Sequence, residues 1–490
     1  MKPYRILTLF ALVVLIATTV VPAFAADPNP GSGSADVTVM YANDSGPSTT
    51  VLAQYYNPSG GSPAGTRQQQ LGPLGSYQFR ASDSGLPDNW VGSMVLSASS
   101  ELAATATIQW TGAPLGDGRE ADTYTGFGSG SSQMNIPYLV YAPNAQYSVI
   151  SVQNTESGTT ANITMRYYNR NGGLDFTITD QIPALGQKMY DMHTPGAKVP
   201  VWSQSSYFQT NGTWTGSVVI STGGSDQKVA AINNNFWPRY NVAYNGSSQG
   251  ARKLFLPSVE RRYTNPNTEP GWLGFSLTTV QNLGTGPTSV TVKYVNKDTG
   301  NVDLNIGPIT LNAGVAVGCN TRSGGVGCVD RSVFNVLGGS WSGSVIVEST
   351  SQDVAAVNFS IRPRDNEAGG YTGAATVFAG TKNFLPEVYQ IGGAGNNRTQ
   401  WSLIRIQNVT NQTANVEVKF VNRDGTTATT RNLTIGGEKS SNFNLRGDDQ
   451  VNLGGNWTGA VYITSNQQLV AVVENLWGLQ RLAAYNSYSR

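Results

Sequence analysis

Short stretches of alternating apolar and polar residues recur along the chain, and each is followed by a turn rich in Asn and Gly. The clearest are Ile163–Tyr167, Val290–Tyr294 and Val416–Phe420, in which every second residue is apolar and the last is aromatic. A period of two with one polar face predicts antiparallel strands that cover a core with one side. Asn and Gly then provide the positive-φ positions that tight hairpins require.

Another strand precedes each of these three, and its last two residues are always Gln-Asn. These endings are Gln153-Asn154, Gln281-Asn282 and Gln407-Asn408. Before each such strand stands an apolar entry segment with a proline, namely Ile136–Val140, Leu254–Pro257 and Phe384–Pro386. The related strand Val51–Tyr56 near the N-terminus has neither feature before it. The first unit is therefore predicted to be truncated.

A Trp-x-Gly phrase recurs four times, each time directly before a β-branched or apolar run. A Trp at a strand entrance can bury about 150 to 250 Å² over a core. A Gly two residues later avoids a collision with that ring or relaxes the backbone for a bend. The sequence therefore predicts a structural core role, rather than ligand binding, for Trp90, Gly92, Trp214, Gly216, Trp341, Gly343, Trp457 and Gly459.

The spacing of these tryptophans is close to the length of one small domain, far longer than a solenoid repeat. Strands are predicted in the second unit near 136–141, 147–153, 161–168, 174–182, 186–191, 216–221, 228–235 and 239–244, and no helical periodicity is convincing. About seven to nine short strands per unit is typical of an immunoglobulin-like sandwich. We predict an elongated all-β chain of four tandem immunoglobulin-like antiparallel β-sandwich modules, at 36–126 (short), 134–246, 252–373 and 382–490.

The N-terminus has the features of a secretory signal peptide. Lys2 and Arg5 precede an apolar run, and Ala23-Phe24-Ala25 provides a small-x-small cleavage site. An uncleaved anchor is the alternative, but the run is shorter than the roughly 20 residues that a span needs. We predict a signal peptide at 1–25, a flexible leader at 26–35, no later membrane span, and a secreted or cell-surface location.

The composition of the chain argues against several classes of function. Charged residues make up 12% of the chain and the net charge is +1, so no basic stripe is available for nucleic acid. The two cysteines, Cys319 and Cys328, are predicted to form a disulfide that closes a Gly-rich loop, worth roughly 2 to 4 kcal/mol. With one histidine, His193, the chain does not provide the usual ligands of a zinc site. No metal and no cofactor are predicted.

No catalytic residues are predicted, and the chain is not expected to be an enzyme. His193 stands in a loop with no nucleophile and carboxylate pattern around it, and a solvated loop residue is expected there. An active carboxylate pair is left open by the sequence. The oxygen-rich segment Asn296–Asp303 lacks the spacing of a calcium loop and is interpreted as a hairpin turn. The tripeptide Arg446-Gly447-Asp448 is attributed to chance.

Three tryptophans follow the phrase at similar spacing, namely Trp110, Trp237 and Trp477. Flat aromatic rings stack either on sugars or on a neighbouring module. We favour packing between modules and keep sugar binding as the alternative.

These paired strands resemble the immunoglobulin-like modules, of the cell-adhesion-related type, found in bacterial secreted and cell-surface proteins. The resemblance rests on an apolar strand that ends near Asn, then a strand that ends in an aromatic residue shortly before Asn and a Gly turn, best seen in Tyr147–Gly172, Phe275–Gly300 and Trp401–Gly425. It implies an extracellular structural or adhesive role without catalysis, and transfers no site residues.

We therefore predict a non-catalytic extracellular structural protein, a component of a cell-surface layer, matrix or filament. An adhesin or carbohydrate-binding surface protein is the alternative, and a hydrolase is the third hypothesis. The expected partners are other copies of the chain or other cell-surface proteins, with glycans as further candidates. Because the first unit lacks its entry strand, a strand of one subunit completing the sheet of another is a further hypothesis.

Overall fold

The computed structural model describes residues 7–11 and 32–490, apart from residues 89, 112–119, 194–197, 326 and 479–480. This part of the chain is all-β, with several antiparallel sheets. Its one α-helix, α1 (Ser206–Asn211), begins after Ser205, whose hydroxyl accepts a hydrogen bond from the Phe208 N–H. Its 3₁₀ turns are Ala81–Asp83, Trp202–Gln204, Arg331–Leu337, Pro363–Asp365, Thr376–Phe378 and Gly395–Asn397.

The strands follow the sequence repeat, and we call the four groups repeats 1 to 4. Repeat 1 contains β1 (Leu7–Ala11), β2 (Ser32–Tyr41), β3 (Thr49–Tyr56), β4 (Gly65–Leu71), β5 (Ser76–Phe79), β6 (Ser93–Ala98), β7 (Leu102–Thr111) and β8 (Ala121–Thr125). Repeat 2 contains β9 (Gln133–Ala142), β10 (Gln146–Asn154), β11 (Ala161–Asn169), β12 (Leu174–Ile182), β13 (Gln187–Asp191), β14 (Trp214–Thr222), β15 (Val229–Trp237) and β16 (Tyr240–Asn245). Repeat 3 contains β17 (Lys253–Tyr263), β18 (Trp272–Asn282), β19 (Thr288–Asn296), β20 (Val302–Leu311), β21 (Ala316–Asn320), β22 (Ser340–Ser349), β23 (Val354–Arg362), β24 (Glu367–Thr372) and β25 (Ala374–Ala375). Repeat 4 contains β26 (Gly380–Gly392), β27 (Arg398–Asn408), β28 (Ala414–Asn422), β29 (Thr427–Ile435), β30 (Ser440–Asn444), β31 (Asn456–Trp477), β32 (Arg481–Asn486) and β33 (Tyr488–Ser489).

The repeats share one strand order. Repeat 2 has the order β12-β11-β14-β9-β10-β15-β16 with β13 on β10, and repeat 3 has the matching order β20-β19-β22-β17-β18-β23-β24 with β21 on β18. In repeat 4 the long strand β31 serves both as the Trp-phrase strand and as the apolar strand that follows it. In repeat 1 the strands that correspond to the two halves of this strand order form two separate sheets, β1-β6-β3-β4 and β5-β2-β7-β8.

Alternating strands have one buried face, as their pattern predicts. In β11 the side chains of Ile163, Met165 and Tyr167 are buried, whereas Asn162 and Arg166 are exposed. The inner strands, which we define as β7, β15, β23 and the second half of β31, are instead buried almost throughout. A strand that is buried on both faces needs a second partner surface, and a neighbouring repeat provides it.

The four repeats close on one another, so the prediction of an elongated, end-to-end chain is wrong. The closing strands β8, β16, β24 and β32 contact one another in sequence, and β32 also contacts β8. The Asn245 side chain accepts from the backbone N–H of Thr125 and donates to its carbonyl, at 3.0 and 2.6 Å. Asn486 makes the same pair with Thr372, at 3.0 and 2.7 Å. The physical reason is that the polar residues inside buried strands find their partners across repeat boundaries.

The N-terminal segment also differs from expectation. Ser32–Ala35, assigned to the flexible leader, belong to β2 and pair with β7 from Ser32↔Thr111 onward. Leu7–Ala11, within the predicted signal peptide, form β1 and pair antiparallel with Met94–Ala98 of β6. The proposed cleavage site at Ala25 and leader residues 26–31 lie outside the described residues. In the described part of the chain, no helix is long and apolar enough to cross a bilayer.

Candidate functional site

The four Trp-phrase indoles lie at equivalent places in the repeats. Trp214 is fully buried, and Trp90, Trp341 and Trp457 are at most 8% exposed. Each indole N–H donates to a side chain in the hairpin of the neighbouring strand pair. The acceptors are Asn57, Asp175, Asp303 and Asn422, at 2.8, 2.8, 2.9 and 2.9 Å. Each ring is therefore anchored by a polar contact as well as by packing.

The phrase glycines leave room for a close backbone approach. A Cβ on Gly216 would lie 2.0 Å from the Tyr168 carbonyl oxygen, and one on Gly343 would lie 2.0 Å from that of Val295. At Gly92 and Gly459 the corresponding distance, to the carbonyls of Tyr56 and Val421, is 2.2 Å. The same Cβ would also collide with the ring of the phrase tryptophan in each repeat. Any larger residue would therefore separate the phrase strand from its neighbour.

A buried tyrosine fastens the entry strand in repeats 2, 3 and 4. We call β9, β17 and β26 the entry strands, and the residue after their shared proline the post-proline residue: Tyr138, Ser258 and Glu387. The hydroxyl of Tyr244 donates to the carbonyl oxygen of Tyr138 at 2.5 Å and accepts from its N–H at 3.1 Å. Tyr371 binds Ser258, and Tyr485 binds Glu387, in the same two ways.

The post-proline side chain then reaches the inner strand of the next repeat. Tyr138 packs edge to face on Phe359 of repeat 3, with ring centroids 5.3 Å apart. The Ser258 hydroxyl donates to Glu474 of repeat 4 at 2.5 Å. Glu387 accepts from the Thr107 hydroxyl of repeat 1 at 2.7 Å. One structural position thus links successive repeats, including repeat 4 to repeat 1.

The Gln-Asn endings have divided roles. Asn154 turns its amide into its own repeat and donates to the carbonyls of Thr159 and Ile182. The preceding Gln153 crosses the boundary and donates to Ser93 of repeat 1 at 2.9 Å. Gln407 makes the matching bond to Ser344 of repeat 3 at 3.0 Å. The motif therefore joins repeats as well as closing a turn.

A buried charge cluster joins repeats 3 and 4. The Arg362 guanidinium binds Glu260, Glu367 and Glu474, and Glu474 is fully buried. Burial alone raises the pKa of Glu474, but Arg362 and Arg405 outweigh it and hold that pKa below its usual value. Burial raises the pKa of Glu367 to about 7. Arg362 stays charged because these carboxylates outweigh its own desolvation and raise its pKa.

Two further buried acids lie at the other boundaries. Asp122 on β8 accepts from the Trp110 indole N–H at 3.2 Å and from the backbone of Ala243 in repeat 2, and burial raises its pKa to about 8. Burial also raises the pKa of Glu387, whose carboxylate accepts hydrogen bonds from Tyr389, Thr107 and Thr38.

An arginine-rich cleft of about 300 Å³ opens between repeats 3 and 4. Its lining residues are Arg262, Leu273, Arg362, Arg364, Asp365, Glu367, Trp401, Leu403, Asn444, Arg446 and Leu476. The Arg446 guanidinium lies over the Trp401 ring, 5.0 Å from its centroid. Side chains of Arg262 and Arg364 remain 46% and 64% exposed, so the cleft presents cations to solvent.

Other residues that the sequence singled out are engaged in local structure. In Arg446-Gly447-Asp448, Arg446 covers the Trp401 ring and Asp448 accepts a hydrogen bond from Arg398 at 2.6 Å. Both charged side chains of the tripeptide are therefore engaged in contacts within the protein. His193, expected to be solvated, is partly buried and packs on Tyr147, with centroids 5.3 Å apart. Cys319 and Cys328 form the predicted disulfide. No group of three His, Cys, Asp or Glu side chains that could hold a metal occurs among the described residues.

Asp303 of the oxygen-rich turn accepts from Asn296 at 2.8 Å and from the Trp341 indole. Among the later tryptophans, Trp110 contacts Phe236 of repeat 2 and Trp237 contacts Phe359 of repeat 3, at 5.5 and 6.1 Å between centroids. These two rings therefore pack between repeats.

Sequence reasoning missed the buried charges, although a signal was present. Arg362 ends the inner strand of repeat 3, as Trp237 and Trp477 end those of repeats 2 and 4, and Trp110 is the last residue but one of the inner strand of repeat 1. Glu474 directly follows the apolar run Val470–Val473 within the same buried strand, and a charge at such a place needs a buried partner. The partner itself could not be named without the arrangement of the repeats.

Comparison with known proteins gives only distant likenesses. No protein-family model and no curated protein matches the chain. The crystal structure of Thermotoga maritima 1070 is 18% identical and aligns over 23% of this chain and 96% of its own length, with a TM-score of 0.20. The Anabaena sensory rhodopsin transducer is 19% identical over 19% of this chain and 92% of its own length, with a TM-score of 0.15. A serine-rich repeat protein from Streptococcus agalactiae is 5% identical over 56% and 86%, with a TM-score of 0.11.

Proposed function

We propose that the chain is a non-catalytic, secreted structural protein, built from four immunoglobulin-like β-sandwich modules, that contributes to a cell-surface layer, matrix or filament. The observation that supports this most is the position of the buried ionisable groups. Asp122, Glu387, Glu474 and Arg362 all lie at repeat boundaries, and each contacts the adjoining repeat. In this chain they serve to hold repeats together.

The closed arrangement of the four repeats is suited to a structural protein that bears mechanical load. Adjacent repeats are joined by the post-proline side chains of the entry strands, the Thr–Asn pairs of the closing strands and the Gln bonds to the serines that follow the Trp-phrase glycines. A structural unit benefits because a local opening has to break contacts in two repeats at once.

Electron microscopy of the purified, secreted chain tests this function. We expect particles of uniform, compact shape that associate into regular sheets or filaments as the concentration rises, or on the surface of the producing cell. Labelling of intact cells with an antibody should place the protein outside. An intracellular location, or turnover of any substrate in a broad hydrolase screen, would contradict the proposal.

A second candidate function is adhesion through an acidic glycan, and the cleft between repeats 3 and 4 favours it. Four arginines line this cleft; Arg362 is paired with buried carboxylates, but the side chains of Arg262 and Arg364 remain 46% and 64% exposed. Guanidinium groups bind carboxylates and sulfates in a bidentate manner. Glycan-array binding confined to acidic glycans, and lost in Arg364→Ala, would support this function, whereas absence of binding on the array would leave only the structural one.

A further inference from the structure

Repeat 1 has a strand-binding edge that its own described strands do not complete. In repeats 2 to 4 the Trp-phrase strand pairs along its length with an entry strand; Ile136 and Leu139, for example, lie opposite Val218 and Gly216. In repeat 1 the corresponding edge of β6 pairs with β1, whose last described residue, Ala11, lies opposite Met94. We call this outer edge of β6 the strand slot.

Two buried polar groups mark the uncompleted part of the slot. Tyr124 pairs with Ala106 on β8 and β7, as Tyr244 pairs with Asn233 in repeat 2. The Tyr244 hydroxyl binds the post-proline backbone, but the buried Tyr124 hydroxyl has no hydrogen-bond partner among the described residues. A buried hydroxyl without a partner is unfavourable, because it has given up its hydrogen bonds to water and gained none in return. Among the described residues, none provides a backbone segment to this hydroxyl at the place of a post-proline residue.

A buried polar atom in repeat 2 is the second observation that indicates a binding site here. Asn234 of repeat 2 lies opposite Val149, at the same inner-strand position as Phe359 opposite Leu277 and Glu474 opposite Leu403. Phe359 and Glu474 each contact the post-proline side chain of the repeat before them. Asn234 is 4% exposed, and its Oδ1 has no partner in the described part of the chain.

We propose that, in the secreted protein, the strand slot binds an extended segment of a separate polypeptide with the sequence pattern apolar-Pro-Ser/Thr-apolar. The pattern follows from the entry strands of this chain, Leu256-Pro257-Ser258-Val259 being the nearest model. A hydroxyl after the proline would donate to Asn234 Oδ1, as the Ser258 hydroxyl donates to Glu474. The segment's backbone at that residue would bind the Tyr124 hydroxyl.

We assign the segment to a separate polypeptide because the candidate strands of this chain are either removed by cleavage or already paired. This inference rests on the proposed function, because secretion with cleavage after Ala25 removes Leu7–Ala11, the strand that pairs with Met94–Ala98 along the slot. A second copy offers no spare strand among the described residues, since its own β9, β17 and β26 are already paired. The remaining segment of this kind, Val21-Pro22-Ala23-Phe24, precedes the expected cleavage site and carries Ala where a hydroxyl is needed.

The test uses the secreted full-length chain, with its N-terminus defined by intact mass. The probe is a fluorescent peptide with the sequence of residues 253–262. We expect saturable one-to-one binding and a higher melting temperature of the complex. The same peptide with Ser258→Ala should bind about 3- to 10-fold more weakly, since one hydrogen bond to a buried acceptor is lost. A peptide with aspartate at both flanking apolar positions should not bind.

Matched protein variants separate recognition from folding. Tyr124→Phe should weaken peptide binding about 3- to 10-fold and leave the melting temperature of the free protein unchanged or higher, because it removes an unpaired buried hydroxyl. Tyr371→Phe, whose hydroxyl is bonded within repeat 3, should lower the melting temperature without changing peptide binding.

Three results would overturn the inference. One is absence of binding by a cooperatively folded secreted chain, and the second is an intact mass that still includes residues 21–24. The third is a stable oligomer in which cross-links place a second copy in the slot. Each leaves the proposed structural function standing, because that function is tested by location and assembly.

Discussion

Replacing Asp122 by asparagine should make the stability of the protein less sensitive to alkaline pH. The side chain is 1% exposed, lies between repeats 1 and 2, and has a pKa raised by burial from 3.8 to about 8. A raised pKa means that the folded state favours the protonated carboxyl. Below about pH 4 the group is protonated in both states and causes no loss. Between about pH 4 and 8 the unfolded chain releases the proton more readily, so stability falls as the pH rises.

The size of this effect follows from the two pKa values. Their separation corresponds to a loss of roughly 6 kcal/mol above pH 8, taken as an upper bound, at about 1.4 kcal/mol for each pH unit. An asparagine carries no charge, and its amide oxygen can still accept from the Trp110 indole. We therefore expect Asp122→Asn to gain about 2 to 5 kcal/mol relative to the wild type at pH 9, and under about 1 kcal/mol at pH 4.

Urea unfolding followed by tryptophan fluorescence at pH 4, 6, 7.5 and 9 measures the difference. The exposed Asp88→Asn in the same repeat is the control and should show no pH-dependent difference. Other buried acids, such as Glu367, titrate equally in both proteins and cancel. A stability difference between Asp122→Asn and the wild type that is constant from pH 4 to 9 would refute the burial argument.

Three further substitutions test the packing. Arg362→Met should destabilise by about 3 to 5 kcal/mol, because it leaves buried carboxylates without their cation, whereas the exposed Arg364→Met should cost under about 0.5 kcal/mol by the same urea titration. Trp214→Ala should cost about 3 to 5 kcal/mol, and an unchanged melting temperature would contradict its role in the core. Gly216→Ala should lower stability by about 1 to 3 kcal/mol or more, because its Cβ would collide with a backbone carbonyl, whereas Gly158→Ala, with open space around it, should be neutral in thermal unfolding.

The positions of the strands could be predicted from the sequence, because the apolar and polar pattern within a strand shows which of its faces is buried. In repeat 2 all eight predicted strands are present, and their ends differ from the prediction by two residues or fewer, except that β9 (Gln133–Ala142) starts three residues earlier. The alternation of apolar and polar residues in Ile163–Tyr167 identifies the buried face directly, because neighbouring side chains of a strand point to opposite sides of the sheet. The disulfide also followed from sequence, since two cysteines in one short loop have a single possible pairing.

What the sequence by itself determined is thus the β class, the strand positions, the repeated phrase and the disulfide, all of which depend on residues close together in the chain. Only the tertiary structure decided that repeat 4 returns to contact repeat 1 and that Arg362 meets Glu474. It also decided that the Tyr124 hydroxyl and the Asn234 Oδ1 find no hydrogen-bond partner in the described part of the chain. These are contacts between faces that no periodicity describes, because a buried strand has the same pattern whichever surface covers it.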